Sequence, residues 1–449
     1  MDSHRRRLVA LARPVYFSLL ASVAAGIINT VWVSRLGGPA VAAVAVATNA
    51  ENVLLGVALV FGSGTTVLVA HARGARDPGA VRAAVRGGWA VFGVITPVVV
   101  AGGYLLREPL ARLVLGGGAA LPLAVGYFAI SMPGIAVFFA QQLVDGILKG
   151  TGDTRTPMRL ALLANGLILV CDPVFIHFYG VQGAAASTVL CRGLALGAGL
   201  LALRWNALLR TAFGPGIAFR RVPRTGPLMA ALRRVLRTGL PMAADFTVRQ
   251  GGTLVLVGIV ARVGVTAVAA YAIAYKVLYV ATMGFYAVRQ AASIHTAHLL
   301  GAGRDARRAI GREAVVVSGA FGAAAAVLFA VTAPWIMAAF GAGGDVAAEG
   351  VLFLRCAGPY LLLMACFIAL GGVFEGSGGA PVLLRVTLLG TAVQLPLAYG
   401  LSGLGLPGVC LAMASAMAVQ CAVVGVVLGR SRRQEVTEVS DGSSVARAG

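Results

Sequence analysis

Charge is scarce in this sequence: Asp, Glu, Lys and Arg make up 12% of its 449 residues, against 59% hydrophobic residues and a mean hydropathy of +0.87. Ordinary soluble domains carry roughly 25% charge, and a water-soluble fold could not hide so much apolar surface. Lysine is nearly missing, with Lys149 and Lys276 standing against thirty-five arginines, a bias that points to a GC-rich coding sequence. The glycine-rich turns GILKGTGDTRTP, from Gly146, and GVFEGSGGAP, from Gly372, lack the lysine and hydroxyl that follow in a phosphate-binding loop. Direct ATP use is therefore not expected. The six cysteines all lie in apolar stretches without CxxC spacing and read as buried free thiols. No nucleophile constellation or metal-ligand spacing is present, so neither an enzyme nor a resident cofactor is expected.

What the chain has is twelve apolar stretches, the first near residues 14–36 and the last near 406–429. Each is long enough for the ~30 Å hydrocarbon core, which takes about 20 helical residues. The formal charge of +21 would suggest nucleic acid in a soluble chain. Here its distribution decides: with the N-terminus placed inside, 28 of the 37 basic residues fall in cytoplasmic segments or at their helix ends, and only Arg35, Arg107, Arg112 and Arg262 fall on the other side. The positive-inside rule then puts both termini in the cytoplasm of a multi-pass cell-membrane protein. Anionic inner-leaflet lipid, not nucleic acid, answers the charge. The first apolar stretch is a full span rather than a cleavable signal.

The chain also repeats itself. Pro14, Arg35, Gly37, His71 and Gly74 recur 227 positions later as Pro241, Arg262, Gly264, His298 and Gly301, and Pro133, Gly146 and Gly150 recur 226 positions later as Pro359, Gly372 and Gly376. The expected fold is therefore an all-α integral membrane protein of twelve transmembrane helices. They form two parallel six-helix lobes related by a pseudo-two-fold axis along the membrane normal, a plan common among secondary transporters. The expected divisions are an N-terminal lobe over 1–203, a basic cytoplasmic linker over 204–237, a C-terminal lobe over 238–429 and a disordered tail over 430–449. Pro14 and Pro241, one turn inside their helices, are candidate hinges, although proline is also an ordinary first residue of a helix.

Ionisable groups inside a membrane mark function by default. Asn29, Glu51 and Asp172, on three helices of the first lobe, lie roughly 12, 15 and 12 Å from the outer surface at 1.5 Å per residue. Such a cluster can bind a small cation, and a carboxylate in an apolar pocket can load and release a proton. Hydrogen-bonded glue between helices is the competing reading. The second lobe has Leu256 and Leu278 where the first has Asn29 and Glu51. It carries instead Asp245 and Arg249, four apart and able to pair, and Lys276, which matches Asn49. Lys276, Asn165 and Asn49 are candidates for the cavity between the lobes. His71 and His298 read as helix-end caps.

The repeat, the phrase VSRLGGPAVAAVAVA from Val33, the helix ending VLVAHARGARD, the turn LKGTGDTRTP and the segment DPVFIHFYGVQGAAAS together resemble the multidrug and toxic compound extrusion family, in particular its DinF-like branch. The likeness runs from about residue 10 to 430. It implies an efflux antiporter that exports small organic compounds such as drugs, often lipophilic cations, in exchange for H+ or Na+, by alternating access of its lobes. H+ is the expected ion and a monomer the expected state, and the GC-rich composition adds a natural product as a candidate cargo. Na+ coupling, or flipping of a lipid-linked precursor, is the alternative. In that branch an aspartate on the first helix and one on the fifth form the cation site. Asp172 matches the second of these, whereas Asn29 stands in place of the first, and Glu51 is available to supply a second carboxylate.

Overall fold

The computed structural model describes residues 2–205 and 225–445. Thirteen α-helices account for nearly all of these: α1 (Asp2–Ser34), α2 (Gly38–Gly74), α3 (Pro78–Leu105), α4 (Arg107–Leu115), α5 (Ala120–Gly150), α6 (Arg155–Trp205), α7 (Thr225–Val263), α8 (Val265–Gly301), α9 (Arg307–Ala339), α10 (Gly344–Cys356), α11 (Gly358–Gly376), α12 (Ala380–Leu401) and α13 (Leu406–Val445). Eleven helices of the described residues are long and apolar enough to cross a membrane. The 51-residue α6 is two spans in one, because the chain turns at Gly180, whose φ of 57° and ψ of −135° suit only a residue without a Cβ. That brings the count to twelve. In the second lobe the tenth span is divided instead, α10 ending just ahead of Pro359 at the start of α11. The matching Pro133 sits inside an unbroken α5. A proline removes one hydrogen bond from the ladder, and the two lobes absorb that loss differently.

Each lobe has its own apolar core. Phe61, Phe128 and Phe139 are fully buried in the first, with the Phe61 and Phe139 rings edge-on at 5.3 Å. Tyr271, Phe285 and Phe353 anchor the second. The N-terminal halves of α1 and α7, however, cross to the opposite lobe. Leu8, Leu11 and Val15 of α1 pack against α8, α9 and α11 of the second lobe, and the Tyr16 ring meets Phe321 edge-on at 5.8 Å. Val235 and Ala243 of α7 are buried in the core of the first lobe.

The terminal segments differ from expectation in physically simple ways. α1 and α7 begin at Asp2 and Thr225, so Pro14 and Pro241 lie several turns inside their helices instead of one. The part of the expected linker from Thr225 to Arg237 is helical, because Leu232, Val235 and Leu236 give it an apolar stripe that packs on the first lobe beneath its arginines. Residues 206–224 of that linker lie outside the described residues. The final helix continues past Gly429 to Val445, where a disordered tail was expected. Few helix breakers stand between Arg430 and Ser440, and extending an existing helix needs no new nucleus.

At the face that carries the termini the lobes close on each other. A Cβ on Gly74 would strike the carbonyl of His298, and one on Gly301 would strike that of His71. The four positions are pairwise equivalents, so the pseudo-two-fold axis passes between α2 and α8 at this crossing. Small residues let the backbones approach. Further contacts join the lobes in the same half of the molecule. His4 and His295 approach ring nitrogen to ring nitrogen at 3.0 Å, Arg5 lies 3.6 Å from Glu313, and a His298 ring nitrogen reaches the Gly150 carbonyl at 2.9 Å. His298 thus binds a carbonyl of the other lobe rather than capping its own helix.

Candidate functional sites in the two lobes

In the first lobe α6 presents Asp172 one residue before Pro173, and the turn at Gly180 brings the second half of the helix back so that Ser187 becomes its polar neighbour. Asp172 is 1% exposed and its Oδ1 has no hydrogen-bond partner. Nearby, Glu51 on α2 pairs with Arg192 on α6 at 3.5 Å, and the Arg192 guanidinium lies 5.1 Å from the Phe138 ring centre. Tyr127 on α5 is buried within electrostatic reach of Glu51, Arg192 and Asp172. A small recess, about 360 Å³ with its open mouth included, is lined by Glu51, Tyr127, Ser131, Thr188 and Arg192.

Of the three residues that sequence depth groups together, Glu51 and Asp172 therefore share Tyr127 as a neighbour. Asn29 is half-buried, and its Oδ1 accepts no hydrogen bond. Two members of this constellation carry little or no signal in the sequence. Arg192 is signalled only by the rule that an intramembrane guanidinium needs a counter-ion, and Tyr127 has no signal at all. Asn165 donates to the Ser22 hydroxyl at 3.2 Å, tying α6 to α1, while Asn49 is exposed.

The second lobe gathers more charge. Arg289 is 4% exposed and donates to Asp245 at 3.0 Å and to Glu375 at 2.7 Å. Arg249 adds a 2.8 Å contact to the same Asp245 Oδ2, and the Thr387 hydroxyl donates to Oδ1 at 2.5 Å. The Asp245 and Arg249 pair read from the i, i+4 spacing is present, as one edge of a four-member cluster. Arg289 and Glu375 complete it from α8 and α11. Lys276 is exposed on α8 and takes part in no ion pair among the described residues, so it joins neither Asp172 nor Glu51. Beside the cluster lies a larger cavity of about 840 Å³, open mouth included, walled by Tyr271, Tyr275, Tyr286 and Tyr360.

Two six-helix membrane lobes, each with a polar site in its core and joined by crossed first helices, define a duplicated multi-pass membrane protein. The sequence pattern of the MatE family matches residues 14–174 and 241–400, one match in each lobe, and the chain belongs to that family. It is 34% identical over 224 residues to a probable multidrug resistance protein NorM from Bradyrhizobium diazoefficiens, 46% of each chain being covered. It is 29% identical over 226 residues to the DNA damage-inducible protein F of Escherichia coli, covering 48% of this chain and 47% of that one. The chain thus spans about half the length of the curated relatives it matches. A solved structure described as the outward-facing conformation of a multidrug resistance MATE family transporter superposes with a TM-score of 0.86 over 97% of both chains, at 22% identity, and shares the fold.

Proposed function

We propose that this protein is a secondary active antiporter that exports small organic compounds in exchange for H+, with both termini in the cytoplasm. The observation that carries the reading is Asp172, a carboxylate buried in the first lobe with one oxygen unpartnered. Leaving a charged oxygen unsatisfied away from water is costly, so either a proton or a cation belongs there during the cycle. Taking up a proton removes a buried charge and changes how α1, α5 and α6 pack. That difference in affinity between two arrangements is what an ion-driven switch requires.

Glu51 and Arg192 neutralise each other at 3.5 Å, which leaves Asp172 as the principal coupling group, with Tyr127 conveying its charge state to the pair. Asn29 serves as an orienting partner. Pro14 and Pro241, at the points where α1 and α7 pass from one lobe to the other, act as the hinges. Na+ is the alternative ion, since Asp172, Ser187 and the Asn29 side chain offer it oxygen ligands. Flipping of a pyrophosphate-linked lipid is less favoured, because the second-lobe cavity is lined by a single charged residue, Arg249, where a pyrophosphate calls for several cations.

The test is efflux of a fluorescent organic substrate from inverted vesicles under an imposed proton or sodium gradient, for the intact protein and for Asp172→Asn. Transport under one gradient, lost in the variant by 100-fold or more, is the expected result. Undiminished gradient-driven transport by Asp172→Asn would overturn the assignment.

A further inference from the structure

The cavity of the second lobe has a chemistry opposite to that of the first. Of the side chains that line it, Arg249 is the charged one, and no carboxylate is among them. Arg249 is largely buried, its side chain 19% exposed, and uses Nη2 on Asp245 at 2.8 Å. Its Nε and Nη1 are buried and have no hydrogen-bond partner. Asp245 has little left to offer them, because its Oδ2 is shared with Arg289 at 3.0 Å and its Oδ1 takes the Thr387 hydroxyl. Glu375 in turn is held by Arg289 at 2.7 Å. Arg249 thus lines the cavity while holding two donor nitrogens that no protein group satisfies, and the wall offers no acceptor of full charge. The Tyr271 hydroxyl is a further buried group without a partner.

The remaining wall is flat and polarisable. The Tyr271 and Tyr275 rings stack at 5.6 Å with 23° between their planes, and Tyr286, Tyr360, Met413 and Met417 continue the surface. Aromatic and thioether walls favour planar rings, and a few placed donors then fix orientation. Asp245 and Glu375 offset Arg249 and Arg289 in charge from behind the wall, but neither lines it, so a lipophilic cation would meet donors there and no acceptor of full charge. In the first lobe the position equivalent to Arg249 is Ser22, and the nearby guanidinium of Arg192 is paired with Glu51. Buried guanidinium nitrogens without a partner are therefore, among the described residues, confined to the second lobe.

We propose that the second-lobe cavity binds a planar aromatic molecule carrying an oxyanion such as a carboxylate, with Arg249 taking the anion and the tyrosine wall taking the ring. This names a substrate class for the exporter proposed above and rests on that reading for its transport role. Binding itself can be measured without a gradient.

The experiment is equilibrium dialysis of the purified full-length protein against three probes that share one ring: 2-naphthylacetate, 2-naphthylethanol and 2-naphthylethylammonium. The acid is expected to bind about tenfold tighter than the alcohol, on the scale of one hydrogen bond from a charged donor, and the ammonium compound weakest. Arg249→Gln should bring the acid to the level of the alcohol, whereas Arg112→Gln, at an exposed position on α4 of the other lobe, should leave all three unchanged. An acid that binds no tighter than the alcohol, or a preference that survives Arg249→Gln, overturns the proposal. Should Arg249→Gln fail to fold, Met417→Trp provides the decision by filling the cavity: acid binding must fall, and persistence of that binding places the site elsewhere. Failure of these outcomes leaves gradient-driven efflux standing, and failure of efflux leaves this binding result intact.

Discussion

The two lobes share a helix plan but differ in the group that each candidate site leaves bare. At the first-lobe site Asp172 keeps a buried carboxylate oxygen without a partner; at the second-lobe cavity Arg249 keeps two buried guanidinium nitrogens without one. At equivalent positions the polar residues have changed places: Leu256 for Asn29, Leu278 for Glu51, Arg249 for Ser22 and Thr391 for Asn165. The backbone features that hold the lobes together have not changed, as Gly74 with His298 mirrors Gly301 with His71. Duplication has thus kept the mechanical frame symmetrical and let the chemistry diverge. An ion site in one lobe and an organic-ligand site in the other is an arrangement that such divergence permits.

The comparison breaks most readily at the second-lobe cluster. Arg289→Met would strand Asp245 and Glu375 in the core, and removing one partner of a buried ion network costs about 3–5 kcal/mol. The protein should lose most of its thermal stability in detergent, whereas Asp172→Asn should retain its stability while losing coupling. Equal destabilisation by both variants would remove the distinction between a structural cluster and a functional carboxylate. Next in size is the crossing of α2 and α8. Gly74→Val and Gly301→Val should each destabilise by roughly 1–3 kcal/mol through overpacking, and by similar amounts, because the contacts are equivalent. A large difference between their melting temperatures would show that the symmetry of the frame is only apparent.

A smaller effect, about 1 kcal/mol, is expected for Glu51→Gln, which leaves a partly exposed Arg192 without its counter-ion. Efflux in that variant should keep its gradient dependence, and its loss would make Glu51 rather than Asp172 the coupling carboxylate. The smallest is Asn165→Ala, which removes one exposed hydrogen bond to Ser22 and should cost about 0.5 kcal/mol. Thermal unfolding can resolve it against the intact protein.

Much of the frame was legible in the sequence because its signals are long. Twelve apolar stretches and a repeat anchored at Pro14 and Pro241 need no tertiary information. The start of α7 was less legible: the arginines between 233 and 237 read as a solvated linker, and only their packing reveals the stripe of Leu232, Val235 and Leu236 beneath them. Depth along a helix brought Asp172 and Glu51 near the same level, but depth says nothing of azimuth. Whether Glu51 turns to Asp172 or to Arg192 is decided by the rotation of α2 against α6. The cluster of Asp245, Arg289 and Glu375 draws on α7, α8 and α11, and the local spacing of Asp245 and Arg249 exposes only one edge of it.

The exchanged arms of α1 and α7 carry a consequence for how the molecule is made. Residues emerge from the ribosome in order, so the first six spans enter the bilayer with Val235 and Ala243 still missing from their core. Through that interval Leu8, Leu11 and Val15 have no partner either, because the surface that receives them belongs to α8, α9 and α11. The first half must therefore wait, incomplete, for the second to be synthesised, and the two mature together.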